Sequence, residues 1–182
     1  MKSLYNFVFE KLKLNKDIKV EDKYTCQPQD YKELRSIIKE RLKKDRNANL
    51  NDIDVSNIAT MDGLFVNLYP LNIDISEWDM SNVTSIYQMF YECRGFNCDL
   101  SNWDVSNVKD ANYCFFSCEN FEGKGLENWN VSNLERITQM FYGCKKLDAK
   151  KVLNNNTRWN KDYKSKISVF WNNISIPDWY HK

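Results

Sequence analysis

Asp79-Met-Ser-Asn-Val83, Asp104-Val-Ser-Asn-Val108 and Asn130-Val-Ser-Asn-Leu134 are one phrase spoken three times, at steps of 25 and then 26 residues. Seven residues after each opening stands an apolar residue (Ile86, Ala111, Ile137). Three further on comes a pair, Met89-Phe90, Cys114-Phe115 or Met140-Phe141, then a cysteine (Cys93, Cys118, Cys144) and another apolar residue (Phe96, Phe121, Leu147). A fixed period in this range is the mark of a repeat array, in which no unit buries its own core and stacking does it instead.

Working outward, Leu50-Asn-Asp-Ile53-Asp54-Val-Ser-Asn57-Ile58 is an earlier copy, with Met61, Leu64 and Phe65 in the places of Ile86, Met89 and Phe90. Beyond Leu147 the pattern loosens, although Trp159 and then Ile167, Phe170 and Trp171 restore its spacing. These residues read as a degenerate last repeat, with Ile174 to Lys182 as a covering tail, since terminal repeats depart from type when they cap. The expected organisation is a capping segment over 1–45, a repeat array over 46–147, and a C-terminal cap over 148–182. About four to five rungs follow from the period.

Inside the cap, Leu4, Phe7, Val8 and Leu12 fit a helical face, and Leu14, Ile18 and Val20 alternate as in a short strand. Asp30-Tyr-Lys-Glu33 reads as a capping box. Leu34, Ile37, Ile38, Arg41 and Leu42 follow at helical spacing, which predicts an amphipathic helix over 30–44. Within each repeat, Phe96-Asn-Cys-Asp-Leu100-Ser-Asn-Trp103 reads as a short strand whose copies would pair in a parallel sheet. Asn107, with Asn57, Asn82 and Asn133 in phase, stands where the N-cap of a short returning helix belongs, before Val108, Ala111 and Phe115. The Asp-x-Ser-Asn corner suits a tight bend, because these side chains bond nearby backbone.

The phrases Trp78-Asp-Met-Ser-Asn-Val-Thr84, Met89-Phe-Tyr-Glu-Cys93 and Phe96-Asn-Cys-Asp-Leu-Ser-Asn-Trp-Asp-Val-Ser-Asn-Val108 resemble the BspA-like leucine-rich-repeat family, in the form common in mycoplasma lipoproteins and in proteins of gut bacteria and their phages. The resemblance runs over roughly residues 30 to 147. It implies an α/β repeat fold, a leucine-rich-repeat-like solenoid with one short parallel strand and one short helix or helical turn per rung. It also implies a surface or host-interaction protein that binds other proteins.

Composition narrows the function classes. Lysine and arginine (26) and aspartate and glutamate (25) nearly cancel, so the chain lacks the basic footprint of a nucleic-acid binder. Charges interrupt the apolar residues of the N-terminus, no later stretch is long enough to span a bilayer, and a soluble cytoplasmic product is expected. A surface location would require a signal already removed. Three of the six cysteines recur at one repeat position, which marks them as reduced core residues. The single histidine is His181, next to the chain end, so neither a zinc site nor Ser-His or Cys-His chemistry is supported. Asp54, Asp79 and Asp104 recur at one corner, where a turn role suffices. No Gly-rich phosphate loop occurs, and no enzyme activity, cofactor or metal is expected.

The expected trade is binding another protein, by a chain that is monomeric when unbound. Two surfaces offer themselves. On the sheet side, Asp74, Glu77, Asp99, Asn102 and Glu127 would face outward and suit a basic or hydrogen-bonding partner. On the other side, Tyr91, Phe116 and Tyr142 recur in phase, with Tyr87 and Tyr113 nearby. Exposed rings of this kind bring large contact area at low entropic cost, although they also serve to pad grooves between turns. Leucine-rich repeats bind most often through the sheet, which favours the first surface. Rival readings are a phage- or mobile-element-encoded inhibitor of a host enzyme and a structural virion or surface-layer component, which would self-associate.

Overall fold

The computed structural model describes residues 23–148 and 152, residue 70 excepted. The helix and strand expected before residue 21, the repeat at Trp159 to Trp171 and the tail from Ile174 lie outside these residues.

The expected amphipathic helix forms as α1 (Tyr31–Lys44). Asp30 caps it in an extended conformation, its carboxylate accepting from the Glu33 N–H at 2.8 Å. Glu33 reaches back one residue further than a capping box would, to the Gln29 N–H. Leu34, Ile38 and Leu42 form its buried face. Its attachment to the repeats is polar as well as apolar. The Arg41 guanidinium holds both Asp52 carboxylate oxygens, at 2.8 and 3.1 Å, and reaches the Cys26 sulfur. That pairing keeps the Asp52 carboxyl below its usual range. Tyr31 donates its hydroxyl to the Asp62 carbonyl. Thr25 and Cys26 then lie parallel to Asp52–Asp54, so the cap also contributes a backbone edge.

The repeats correct the α/β leucine-rich-repeat expectation. Among the described residues there is no β-sheet, only isolated parallel bridges such as Thr60–Ser85, Ser85–Asp110 and Asp110–Arg136. Among the described residues no rung contains an α-helix, and the inserted residue falls by a short 3-10 turn, Leu126–Asn128. The predicted strand from Phe96 is already turning at Leu100, whose carbonyl accepts from the Trp103 N–H. The predicted helix after Asn107 is absent. Asn107 instead donates its side-chain amide to the Ser81 carbonyl of the preceding rung, as Asn82 does to Ser56 and Asn133 to Ser106.

The reason is an interleaved backbone. From Ile86 to Cys93 the N–H groups alternate in direction. Those of Ile86, Gln88, Phe90 and Glu92 donate to Asp110, Asn112, Cys114 and Phe116 of the next rung, at 2.7–3.0 Å. Those of Met89, Tyr91 and Cys93 donate back to Ile86, Gln88 and Phe90 of their own rung. The same scheme joins Met61–Asn67 to Ser85–Tyr91, and Ala111–Ser117 to Arg136–Tyr142. Closing successive tight turns requires a left-handed residue at fixed places. Gly63, Asn67, Gln88, Glu92, Tyr113, Ser117, Gln139 and Gly143 have φ between 47° and 75°. A reversal of φ every fourth residue is compatible with neither a helix nor a strand.

The core is built in columns. Phe65, Phe90, Phe115 and Phe141 stack with ring centroids 5.4, 5.4 and 5.5 Å apart. Trp78, Trp103 and Trp129 donate their ring N–H groups to the carbonyls of Leu50, Ile75 and Leu100, one rung back. The extra residue of the longer step falls near Gly125. There φ is 97°, and a Cβ would overlap the backbone of Leu100 and Ser101.

Two measurements check this account. Gln88→Gly should raise stability by about 0.5–1 kcal/mol, because relief of left-handed strain exceeds the added chain entropy. A helical rung would instead lose about 1 kcal/mol, so a lowered denaturation midpoint would contradict the turn assignment. Trp103→Ala should cost about 3–5 kcal/mol, and Trp103→Phe about 1–3 kcal/mol through the lost Ile75 contact. An unchanged midpoint in the alanine variant would place Trp103 outside the core.

Candidate partner-binding surface

The turn ladder decides which side chains face outward. From Ile86, residues run one in, two out, two in, two out, one in: Ile86, Met89, Phe90 and Cys93 are buried, while Tyr87, Gln88, Tyr91 and Glu92 are half-buried. The second member of each outward pair carries the positive φ. The first members align between rungs and form two columns. One runs Asp62, Tyr87, Asn112, Thr138, and the other Val66, Tyr91, Phe116, Tyr142.

The second column is the aromatic stripe expected from the sequence. Tyr91 and Phe116 stack at 4.8 Å and 8°, and Phe116 and Tyr142 at 4.8 Å and 11°. Tyr113 meets Phe116 edge-on at 6.2 Å and Tyr87 at 6.3 Å, which widens the stripe. All five rings are half-buried: each packs on its neighbour and keeps a face towards solvent. Desolvation, with Glu92 close by, pushes the Tyr91 hydroxyl above its ordinary pKa.

The favoured surface, the acidic set, presumed a sheet, and no sheet among the described residues carries it. Its residues fall on the turns around the tryptophans and are engaged with their own chain. Asp74 accepts from the Ser76 N–H and hydroxyl and from the Asn49 amide. Burial pushes its carboxyl up, but the Ser76 bonds, with Asn51 and Cys98 close by, outweigh burial and hold it low. Asp99 pairs with Lys124 at 2.6 Å and accepts from Ser101. The Lys124 bond and then Ser101 hold its carboxyl at about 2. Glu77 pairs with Lys23 at 3.2 Å, both well exposed. Asn102 donates weakly to the Ser76 carbonyl at 3.5 Å, and Glu127 accepts from the Gly125 N–H at 3.0 Å. Asp74 and Asp99 lie one rung apart, and Glu77 and Asn102 form a second pair of neighbours. Glu127 sits in the inserted 3-10 turn.

The cysteines form a ladder of their own. Cys93, Cys118 and Cys144 donate to the carbonyls of Phe65, Phe90 and Phe115, at 2.8–3.0 Å. All six cysteines are free thiols. Burial pushes the Cys93 thiol up to about 12 and Cys98 up to about 11, with Cys114, Cys118 and Cys144 also raised. Among the described residues no group of three or more His, Cys, Asp or Glu could hold a metal ion. No described helix is long and apolar enough to cross a membrane.

Copies of one 25-residue phrase, stacked by backbone bonds and faced by a stripe of rings, define a class of repeat protein. The chain belongs to the family described as "Mycoplasma protein of unknown function, DUF285", whose model matches residues 32–156, from α1 past the last clear repeat. Neither the curated proteins nor the solved structures contain a match.

Thiolates are the reactive form of cysteine. Iodoacetamide at pH 8 should therefore label at most Cys26 in the native protein, and all six cysteines after denaturation. Rapid native labelling of Cys93 and Cys118 would contradict the buried ladder.

Proposed function

We propose that this chain is a non-enzymatic protein-binding module that engages its partner through the aromatic stripe of Tyr91, Phe116 and Tyr142. The supporting observation is the geometry of the stripe. Its rings are stacked at 4.8 Å on consecutive rungs and remain half-exposed. Aromatic residues dominate binding hot spots, and rings already held by neighbours lose little freedom when a partner covers them. Asp74, Asp99 and Glu127 lend less to binding, because contacts with a partner would compete with the turns they now hold. The likeness of the repeat phrase to BspA-like proteins, typically surface or host-interaction proteins, supports the same reading.

Affinity capture with wild-type and variant chains tests it. Tyr91→Ala and Tyr142→Ala should each weaken a captured partner by about 2 kcal/mol, roughly thirtyfold, with little salt dependence. The melting curve of Tyr91→Ala should show the loss of a stacked pair, about 0.5–1.5 kcal/mol. Reversing Asp74, Glu77 and Asp99 to Lys should leave the affinity unchanged. Retention by both tyrosine variants, with loss in the charge-reversed one, would move the site to the acidic turns.

A further inference from the structure

One flank of α1 is covered by none of the described residues. Leu34, Ile38 and Leu42 face the core, while Lys32, Arg35, Lys39 and Lys43 follow one another at steps of three and four, with Arg46 just beyond the helix. Between this row and the outward turn of the first rung lies a groove of about 580 Å³, and Val66 and Leu68 form part of its apolar floor. Lys32, Arg35, Lys39 and Arg46 are exposed and make no ion pair among the described residues, while Lys43 is joined to Glu40 at 2.6 Å. The nearby acids are occupied. Glu33 accepts from the Gln29 N–H, and the Asp62 carboxylate accepts from Ser85 and Tyr87. A row of cations thus borders an apolar trough, and of its five members only Lys43 has an ion-pair partner among the described residues.

We propose that this groove binds an extended acidic segment of a partner protein, carboxylates along the Lys32–Arg46 row and alternate apolar side chains on the Val66–Leu68 floor. The pitch of the row supports it. At 1.5 Å rise per residue, Lys32 to Lys43 spans about 17 Å, with a cation every 5–6 Å or so. An extended chain sets side chains of one face about 6.6 Å apart, near that pitch, and presents the other face in alternation. A single-headed amphiphile offers one anion to four cations. A single-stranded nucleic acid offers enough phosphates, but its bases call for ring platforms, and the described lining of the groove holds no aromatic residue. The chain's own outer segments lack the complementary charge: residues 1–22 and 153–182 each hold more Lys and Arg than Asp and Glu. The proposal stands apart from the stripe, although Val66 heads the column that Tyr91 continues.

The test is fluorescence anisotropy on the full chain, with a short end-capped, labelled peptide of alternating Glu and Leu. Binding should weaken about tenfold in the Arg35→Glu/Lys39→Glu double variant, as loss of charge complementarity predicts. It should also weaken as salt rises from about 0.1 to about 1 M, where screening tightens to about 3 Å. Arg35 and Lys39 are exposed, so the far-ultraviolet helix signal and melting of that variant should match wild type. A Glu-Ser peptide should bind about tenfold more weakly than the Glu-Leu one, since it forfeits apolar burial. Tyr142→Ala, three rungs along the column from Val66, should leave the peptide's affinity within about twofold, because distant sites add without coupling. No binding by the full chain, equal binding of the Glu-Ser peptide, or loss in Tyr142→Ala would each overturn the site. Displacement of the peptide by an equal concentration of dodecanoate would overturn the choice of a protein segment in favour of a lipid anion.

Discussion

The structure depends on the alternation of backbone N–H groups between bonds inside a rung and bonds to the next. Every second amide closes a tight turn and the others reach across to the neighbouring copy, so both needs of a buried backbone are met without a strand or a helix. The scheme works only if consecutive rungs keep the same register. That is why the phrase must return after 25 residues, and why the single longer step calls for a glycine at Gly125, whose hydrogen lets two backbones meet. The cost is local. Among the described residues six non-glycine positions hold left-handed φ, each a strain on the order of 1–2 kcal/mol that the surrounding bonds over-determine.

The recurring side chains make sense as partners of that backbone. A carbonyl has two lone pairs, and a turn bond uses one. The Phe65 carbonyl accepts from the Leu68 N–H and also from the Cys93 thiol. The Leu50 carbonyl accepts from the Ile53 N–H and from the Trp78 ring. Cysteine and tryptophan are therefore more than space-fillers. Each combines an apolar body with one donor aimed a rung back, in a core that admits no stray polarity. At the surface the asparagine column does the same for the carbonyls of Ser56, Ser81 and Ser106. Pairs such as Arg136–Asp110 and Lys145–Glu119 add exposed links between rungs, which are worth little individually.

Much of this was legible in the sequence, and the illegible part has a common cause. Period identified which residues are buried: Phe90, Cys93, Phe96 and Trp103 are all in the core. The helix from Tyr31 was readable because its cap, its apolar spacing and its basic end agree. Secondary structure inside the rung was misread. The residues at left-handed positions, such as Gln88, Glu92 and Tyr113, carry no mark of it, and only Gly63, Asn67 and Gly143 hint at it. Asn107 looked like a helix cap because asparagine serves both roles, and its true acceptor lies 26 residues away. The stripe was visible as a phase of Tyr91, Phe116 and Tyr142, while the acidic set rested on a sheet that the turns replace. The groove beside α1 was hidden, because it needs the helix and the first rung placed together.

The division of labour within a rung also bears on how such a surface can be used. Inward positions are fixed by packing, and the second member of each outward pair is fixed by its positive φ. The first member is bound by neither demand: at one column the rungs present Asp62, Tyr87, Asn112 and Thr138, at the next Val66, Tyr91, Phe116 and Tyr142. Chemistry there can change from acid to ring to amide while the backbone scheme stays the same. Where one column holds three rings in succession, stacked face to face, the fold has not required it, since the Asp62 column shows the same ladder built without a ring at every rung. A feature that the backbone leaves free, and that is nonetheless uniform over consecutive rungs, is what the proposed binding role would account for. Stacking holds the rings in place, so on that proposal a partner would meet a preorganised surface, and binding would lose less to ordering than on a mobile loop.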